Sequence, residues 1–310
     1  MSSAHIVTTP LTTATALSSW RLDVPVLVVV AALGLGYWRC SRHGGVAVSR
    51  AASFSCGLAL WAGARAGFLG VYADTLFWVR ALQFTVLFFV VPFLLALGKP
   101  LTALRGALGE TGKARFDAAL SCAPARFLTY PLATAASVLV LPWVVYMTPL
   151  YPALLEHEIV DQAAQFVVVL VGFGYFYSRL QSDPTPKKYP QLITLLLTVA
   201  EVIGDGALGL VLALGDVLSP AHYAARSWGP SLRMDQTIGA GILWILGDVL
   251  GVPFIFAVMR SLRAEERHIE EQTDIALDQL EKAQFERGEP QTSSGLWWES
   301  DPQLRDRFRR

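Results

Sequence analysis

Seven long apolar runs constrain the fold of this chain more than any other feature of its sequence. A helix needs about 20 mostly apolar residues to cross a bilayer, and only 16% of the chain is charged, against about 25% in an average soluble domain. We therefore predict an all-α, polytopic membrane protein with seven transmembrane helices. The runs lie at residues 24–38, 51–69, 76–97, 127–147, 159–178, 190–214 and 236–258.

Lys and Arg are unevenly distributed among the connections between these runs. The total charge does not indicate a partner, because 25 Lys and Arg residues balance 25 Asp and Glu residues. In particular, it gives no sign of a nucleic-acid partner. The connections after the first, third and fifth runs are rich in basic residues, whereas the others are poor. By the positive-inside rule, the N-terminus lies outside a bacterial plasma membrane and the C-terminus lies in the cytoplasm. The basic residues are Arg39, Arg42, Arg50, Lys99, Arg105, Lys113, Arg115, Arg126, Lys187 and Lys188.

The chain divides into four predicted segments. Residues 1–23 form an extracytoplasmic segment, residues 24–258 the transmembrane domain, residues 259–287 a cytoplasmic charged helix, and residues 288–310 a disordered tail. The charged helix is predicted because apolar residues recur at helical spacing among its charges. Gly, Pro and Ser residues then break this pattern, and the end of the chain is too polar to fold alone.

A polar stripe marks the outer half of the fifth run. His157, Asp161 and Gln165 recur every four residues and so share one face of a helix. Arg80 and Gln83 lie at a similar depth in the third run. We expect Arg80 and Asp161 to form an ion pair shielded from lipid, with Gln83 and Gln165 completing its hydrogen bonds. This group is either a polar clamp between two helices or a ligand or metal site.

Three carboxylates lie deep in the last two runs. Glu201 and Asp205 are one turn apart in the sixth run, and Asp248 lies in the seventh. An unpaired carboxylate in hydrocarbon is protonated at neutral pH, because desolvation disfavours its charged form. The three residues are therefore either neutral acids hydrogen-bonded between helices or parts of a proton path or cation site.

Four potential copper ligands collect on the predicted outer side. Met147 ends the fourth run, His157 and His222 lie at outer connections, and Met234 lies at the start of the seventh span. Thioether and imidazole groups suit Cu(I), so these four residues are the candidate metal ligands. The alternative is that side chains in such positions simply contact water. The sequence has none of the common hydrolase, zinc-protease or nucleotide-binding motifs, and we predict no enzymatic activity.

Two segments carry the motifs of a known membrane family. The stretch 219–249 contains an Asp-Gln pair followed by a Gly and a Trp, and the stretch 80–101 contains a Gln, a Pro and the ending Leu-Gly-Lys-Pro. A weaker match surrounds Tyr-Met-Thr-Pro-Leu-Tyr at residues 146–151. The chain thereby resembles the CtaG-like cytochrome c oxidase assembly proteins. The matching residues are Asp235, Gln236, Gly239, Trp244, Gln83, Pro92, Leu97, Gly98, Pro100, Pro149 and Tyr151.

This resemblance implies a seven-span protein that assists the assembly of a haem-copper oxidase and inserts copper from the outer side of the membrane. Its partners would be the lipid bilayer and either an oxidase subunit or a copper donor protein. Several histidines of the family pattern are replaced here, and the resemblance therefore leaves two alternatives open. One is a metal-free membrane scaffold, and the other is a proton- or ion-coupled transporter or channel built on Glu201, Asp205 and Asp248. The residues in place of the histidines are Arg80, Phe84, Tyr130, Asp161 and Gln165.

Overall fold

The structure is a computed structural model that describes residues 7–44, 46–122, 130–180, 191–246 and 249. These residues form helices and turns and no strand, which confirms the predicted all-α fold. Two turns, Val86–Val90 and Ile242–Leu246, are π-helical. The α-helices are α1 (Thr13–Ser18), α2 (Val24–Gly44), α3 (Val48–Ala66), α4 (Phe68–Tyr72), α5 (Phe77–Thr85), α6 (Val91–Leu97), α7 (Pro100–Ala107), α8 (Glu110–Ser121), α9 (Pro131–Met147), α10 (Leu150–Glu156), α11 (Glu158–Leu180), α12 (Gln191–Leu214), α13 (Pro220–Tyr223) and α14 (Leu232–Gly241).

Several of these helices are long and apolar enough to cross a membrane, so the chain is a multi-pass membrane protein. A further candidate span is a helix pair, α9 and α10, which is bent by 67°. The sixth predicted run coincides with α12, whereas the seventh is described only at its beginning. The count of seven spans and the orientation therefore stay predictions, and Asp248 and residues 259–310 lie outside the described residues. The four single-helix candidates are Val24–Arg42, Val48–Tyr72, Phe77–Ala107 and Glu158–Leu180.

A central helix organises the packing and consists of α5, the first π-helical turn and α6 in direct succession. Its side chains Val79, Leu87 and Val91 are fully shielded from solvent. Helices α3 and α11 pack on α6, and α14 packs on α5. The third apolar run is therefore enclosed by protein, and the charged side chains at its start are held between other helices rather than exposed to lipid.

The central helix has one irregular turn where it contacts α11. Pro92 has no amide N–H and so cannot donate to the carbonyl of Phe88 four residues earlier. The helix widens into the π-helical turn Val86–Val90 at this point, a form that occurs in α-helices mostly as single turns. Gly172 of α11 packs directly on this turn, since a Cβ atom there would overlap the Phe88 oxygen and lie 2.8 Å from Pro92 Cγ. The close approach of the two helices depends on the missing side chain.

The substitution Gly172→Ala should lower thermal stability, although alanine is the better helix former. The added methyl group meets a backbone carbonyl, which cannot turn aside as a flexible side chain can, and we expect a loss of about 1–3 kcal/mol. Gly63→Ala on α3 is the matched control, because a Cβ atom there meets no atom within 4 Å. Thermal unfolding of the two purified variants in detergent measures the difference. Equal midpoints would contradict the close packing at Gly172.

Candidate functional site

Five charged side chains form a buried ion cluster at one end of the helix bundle. Each comes from a different part of the fold: the start of α2, the last turn of α3, the turn after α4, the first turns of α5, and the first turn of α11. Their side chains are between 2% and 23% exposed. Because single charges are costly in a membrane, mutual pairing holds these helix ends together. The ion cluster comprises Asp23, Arg65, Asp74, Arg80 and Asp161.

Asp161 is the centre of the ion cluster, because it bridges both arginines. Its Oδ1 lies 2.5 Å from Arg80 Nη2, and its Oδ2 lies 3.2 Å from Arg65 Nη1. Each arginine also has an aspartate of its own: Arg65 Nη2 is 2.5 Å from Asp23 Oδ2, and Arg80 Nη1 is 2.9 Å from Asp74 Oδ1. The predicted contact between Arg80 and Asp161 is confirmed, but it is one of four linked ion pairs.

The two glutamines expected to complete this pair have different roles. Gln165 donates to Asp161 Oδ2 over 2.7 Å, as expected. Gln83 instead donates from Nε2 to the carbonyl oxygen of Ala64 over 2.8 Å, so its predicted bond to the ion pair is wrong. Ala64 lies in the last turn of α3, where the carbonyls have no partner within the helix. The acceptor of Gln83 is thus a carbonyl at the end of α3, which the sequence pattern did not predict.

Arg21 joins the ion cluster to the surface. Its Nη2 lies 2.7 Å from Glu158 Oε1, and its Nη1 lies 3.8 Å from Asp74 Oδ2. These contacts are half-exposed and add little to stability, whereas breaking an inner pair would remove one partner from each of two buried charges. Sequence analysis does not single out Asp23 or Asp74, because both lie in connections, where carboxylates usually contact water.

Asp235, in the first turn of α14, fixes the beginning of the central helix. Its Oδ2 accepts from the backbone N–H of Phe77 over 3.0 Å, and its Oδ1 accepts from that of Trp78 over 2.9 Å. The N-cap residue of α5 provides no side-chain bond of its own. Arg226 Nη1 lies 2.5 Å from Asp235 Oδ2 and also donates to the Thr75 carbonyl over 3.1 Å. This fully buried carboxylate therefore joins the connection between α12 and α14 to the start of the central helix.

Gln236 connects the start of α14 to the end of α12 in a similar way. Its Nε2 donates to the carbonyls of Leu212 and Asp216 over 2.8 and 2.9 Å, and its Oε1 accepts from the N–H of Leu218 over 2.7 Å. Leu212 lies in the last turn of α12, where carbonyls lack partners within the helix. The Asp-Gln pair thus connects the start of α14 to the start of α5 and to the end of α12.

The glycine and tryptophan of the same motif allow close helix packing. A Cβ atom at Gly239 would lie 2.6 Å from Phe77 Cε1. Trp244 packs on Gly206 and Gly209 of α12, where Cβ atoms would lie 3.2 Å from its indole nitrogen and 2.8 Å from its Cβ. The motif of α14 therefore fixes helix ends and helix contacts around the third and sixth predicted spans.

A protein-family model described as a cytochrome c oxidase caa3 assembly factor matches residues 31–265, which include the central helix and the α14 motif. The chain belongs to this assembly-factor family. This membership confirms the resemblance found in the sequence.

The curated relatives are mycobacterial proteins. The chain is 25% identical over 296 residues to the uncharacterized protein Mb0105 of Mycobacterium bovis and, equally, to the uncharacterized protein MT0111 of Mycobacterium tuberculosis; each match covers 88% of this chain and 44% of the relative. It is 23% identical over 274 residues to the uncharacterized protein ML1998 of Mycobacterium leprae, with 84% and 42% covered. The chain thus spans less than half the length of these relatives. No solved structure matches it.

A small cavity of about 30 Å³ lies beside the ion cluster, and its walls include Arg80, Asp161, Gln165 and Tyr151. A water molecule requires roughly 10–15 Å³ by this measure, so the cavity has the size for a water molecule and is too small for a larger ligand. The Tyr151 hydroxyl lies 2.6 Å from that of Tyr223. Burial raises the pKa of Tyr223 to about 12, and this hydroxyl is therefore neutral at physiological pH.

The four predicted copper ligands lie in different surroundings. Met147 and Met234 are 39% and 55% exposed, His157 is exposed between α10 and α11, and His222 Nε2 lies 2.8 Å from the Asp74 carbonyl oxygen. In the described part of the chain, no three His, Cys, Asp or Glu side chains are arranged to hold a metal ion. Ligation of copper by these four residues stays a prediction.

The ion cluster itself does not fit a copper ion. The family histidines expected here are replaced, and Asp161 already faces the guanidinium groups of Arg80 and Arg65. The carboxylate oxygens of Asp161 are thus already bound by two arginines and by Gln165, and hard carboxylate oxygens are not the soft ligands that Cu(I) prefers. We therefore assign no metal to this end of the central helix.

Two of the three carboxylates predicted deep in the membrane lie within the described residues. Glu201 is 7% exposed, and its two carboxylate oxygens accept from Arg179 Nη2 over 2.6 Å and from the Tyr175 hydroxyl over 2.8 Å. Glu201 is thus hydrogen-bonded between two helices, as one of the two interpretations expects, and its partners include a basic residue, Arg179, at the end of α11. Asp205 lies one turn further along α12 and is half-buried. Asp248 lies outside the described residues.

Proposed function

We propose that the chain is an assembly factor for a haem-copper cytochrome c oxidase and promotes the maturation of an oxidase subunit by protein contact at the outer side of a bacterial plasma membrane. The observation that carries this proposal is the family match over residues 31–265. The geometry supports a scaffold, because Asp235 and the ion cluster hold several helix ends in fixed positions. A rigid end of the bundle is suited to presenting one surface to a partner.

Transport is not the function that we propose. The transporter hypothesis is built on Glu201, Asp205 and Asp248, and the first of these carboxylates is paired with Arg179. A fixed ion pair of this kind stabilises contact between α11 and α12, and a carboxylate held in it is less suited to exchange protons.

Deletion of the gene should lower haem-copper oxidase activity while haem synthesis and transcription of the oxidase genes remain unchanged. Oxygen consumption and haem absorption spectra of membranes measure the defect, and the full chain supplied in trans should restore both. Crosslinking in intact membranes should recover an oxidase subunit with the tagged protein. Normal oxidase spectra and oxygen consumption in the deletion strain, also under copper limitation, would reject the proposal.

The proposal also includes a role in copper handling. We place it at the outward residues Met147, His157, His222 and Met234 rather than at Asp161, because soft ligands suit Cu(I) and the Asp161 oxygens are already paired with two arginines. Added copper should then restore oxidase activity in the deletion strain, and replacing all four ligands should remove copper from the purified protein. Failure of copper to restore activity would leave a metal-free scaffold. Stoichiometric copper after all four replacements would contradict this ligand set.

A further inference from the structure

A large apolar crevice lies between the four single-helix candidate spans, and one of its ends is near the ion cluster. It has a volume of about 560 Å³ and is lined by residues of α2, α3, α6, α7 and α11, including Gly36, Phe54, Leu104 and Phe173. This volume is within the usual range of about 300–1,000 Å³ for ligand sites. Helix α2 borders the crevice and is the least enclosed of the four single-helix candidate spans, with 11% of its apolar window buried. The crevice is thus a gap between α2 and the rest of the bundle.

The chemistry of the lining selects a hydrocarbon. Nearly all lining side chains are aliphatic or aromatic. The hydroxyl of Tyr37 is already used, because it donates to the Gly98 carbonyl over 2.8 Å, and the indole nitrogen of Trp61 is shielded. Water would find too few hydrogen-bonding partners along such a surface. An unfilled gap would also forfeit the dispersion contacts of its walls.

The charges at the two ends of the crevice differ. At one end Trp61 lies one turn from Arg65, and Phe166 follows Gln165, so this end is closed by the ion cluster, whose arginines are paired with aspartates. At the other end Cys40 lies between Arg39 and Arg42, both exposed, and Arg42 is held 3.9 Å above the Trp38 ring. The second end is therefore basic and belongs to the predicted cytoplasmic side.

We infer that this crevice binds an acyl chain of an anionic phospholipid, with the headgroup at Arg39 and Arg42. The apolar lining accepts the chain, and the basic end complements the phosphate, since basic residues at a membrane surface attract anionic lipids. The lipid fills the space between α2 and α11 and so completes the packing of the first predicted span. This site is separate from the surfaces assigned to oxidase assembly.

Photocrosslinking in vesicles tests the inference. The full-length protein is reconstituted with phosphatidylglycerol that carries a diazirine in its acyl chain, irradiated and digested. Peptides covering residues 32–40 and 166–173 should be labelled more strongly than the exposed face of α12 around Ile203 and Leu210. Equal labelling of all exposed helix faces would overturn the site, because it would indicate bulk lipid only.

Filling the crevice provides the decisive variant. A Cβ atom at Gly36 meets no atom within 4 Å, so Gly36→Phe can place its ring in the crevice and should abolish the enhanced labelling. Gly63→Phe is the matched control, because Gly63 also has free space at its Cβ but does not line the crevice. Should Gly36→Phe not fold, alkylation of Cys40 with a long-chain maleimide after folding, in a Cys56→Ser/Cys122→Ser background, blocks the same space. Undiminished labelling after either block would refute the proposal.

The headgroup assignment has its own test. Arg42→Gln should lower labelling by phosphatidylglycerol about fivefold, the effect of roughly one basic residue at an anionic membrane surface. Phosphatidylcholine with the same diazirine chain should label the wild-type crevice correspondingly less. Equal labelling by the two lipids would overturn the anionic specificity, and labelling by a diazirine-bearing isoprenoid alone would overturn the phospholipid assignment.

Discussion

Exchanging the charges of Arg80 and Asp161 is expected to leave the protein as unstable as the worse of the two single substitutions. An isolated ion pair should be partly restored by such an exchange, but these residues have further partners. Arg80→Asp would place a carboxylate beside Asp74, and Asp161→Arg would place a guanidinium beside Arg65, where the native distances are 2.9 and 3.2 Å. Two attractive contacts would become repulsive.

The single substitutions Arg80→Ala and Asp161→Ala should each destabilise the protein by about 1–3 kcal/mol, less than the loss for a buried charge with no partner, because every charge left behind keeps one partner. Thermal unfolding in detergent and the amount of protein accumulated in membranes measure these losses. The matched control is exchange of Arg105 and Asp117, a half-exposed pair with bonds of 2.9 Å, which should leave unfolding near that of the wild type. Recovery by the Arg80–Asp161 exchange would show that this pair acts alone.

Asp235→Ala is expected to destabilise the chain by more, about 3–5 kcal/mol, because this substitution leaves a buried charge without an ion-pair partner. The substitution removes the acceptor for two buried N–H groups at the start of the central helix and leaves Arg226 unpaired. Asp216→Ala is the control, because Asp216 is an exposed carboxylate nearby that takes part in the site through its backbone carbonyl.

A second substitution separates the two effects of losing Asp235. Arg226→Ala combined with Asp235→Ala should cost less than the sum of the single losses, since the double variant has no unpaired buried charge. Unfolding midpoints of the four proteins complete the cycle. If the two single losses simply add in the double variant, Asp235 stabilises the protein through the N–H groups of Phe77 and Trp78 and not through Arg226.

The sequence was sufficient to predict the helical membrane fold and the contact between Arg80 and Asp161. Both follow from one physical requirement, that polar and charged groups in hydrocarbon need partners, and only side chains at similar depth can satisfy it. The partners Asp23 and Asp74 could not be predicted, because they lie in connections whose path depends on tertiary structure. Their contacts convert the expected pair into the ion cluster.

The roles of Gln83, Asp235 and Gln236 were beyond sequence reasoning for a related cause. Each binds backbone groups at the end of another helix. Periodicity indicates which residues share a helical face, but it does not show which helix end will lie opposite them. Glu201 illustrates the same limit, because Arg179, its neutralising partner, lies on another helix. Family resemblance marked Asp235 and Gln236 without giving the reason for their presence.

The arrangement of the ion cluster also has a consequence for the order in which the chain enters the membrane during synthesis. Asp23 and Arg65 belong to the first two candidate spans, and Asp74 precedes Arg80 by six residues. Each arginine can therefore be neutralised by a carboxylate already synthesised, before the rest of the protein exists. Asp161 arrives two candidate spans later and connects two units that are each already neutral. The nascent chain thus need not hold an unpaired arginine in the lipid at any stage of its insertion.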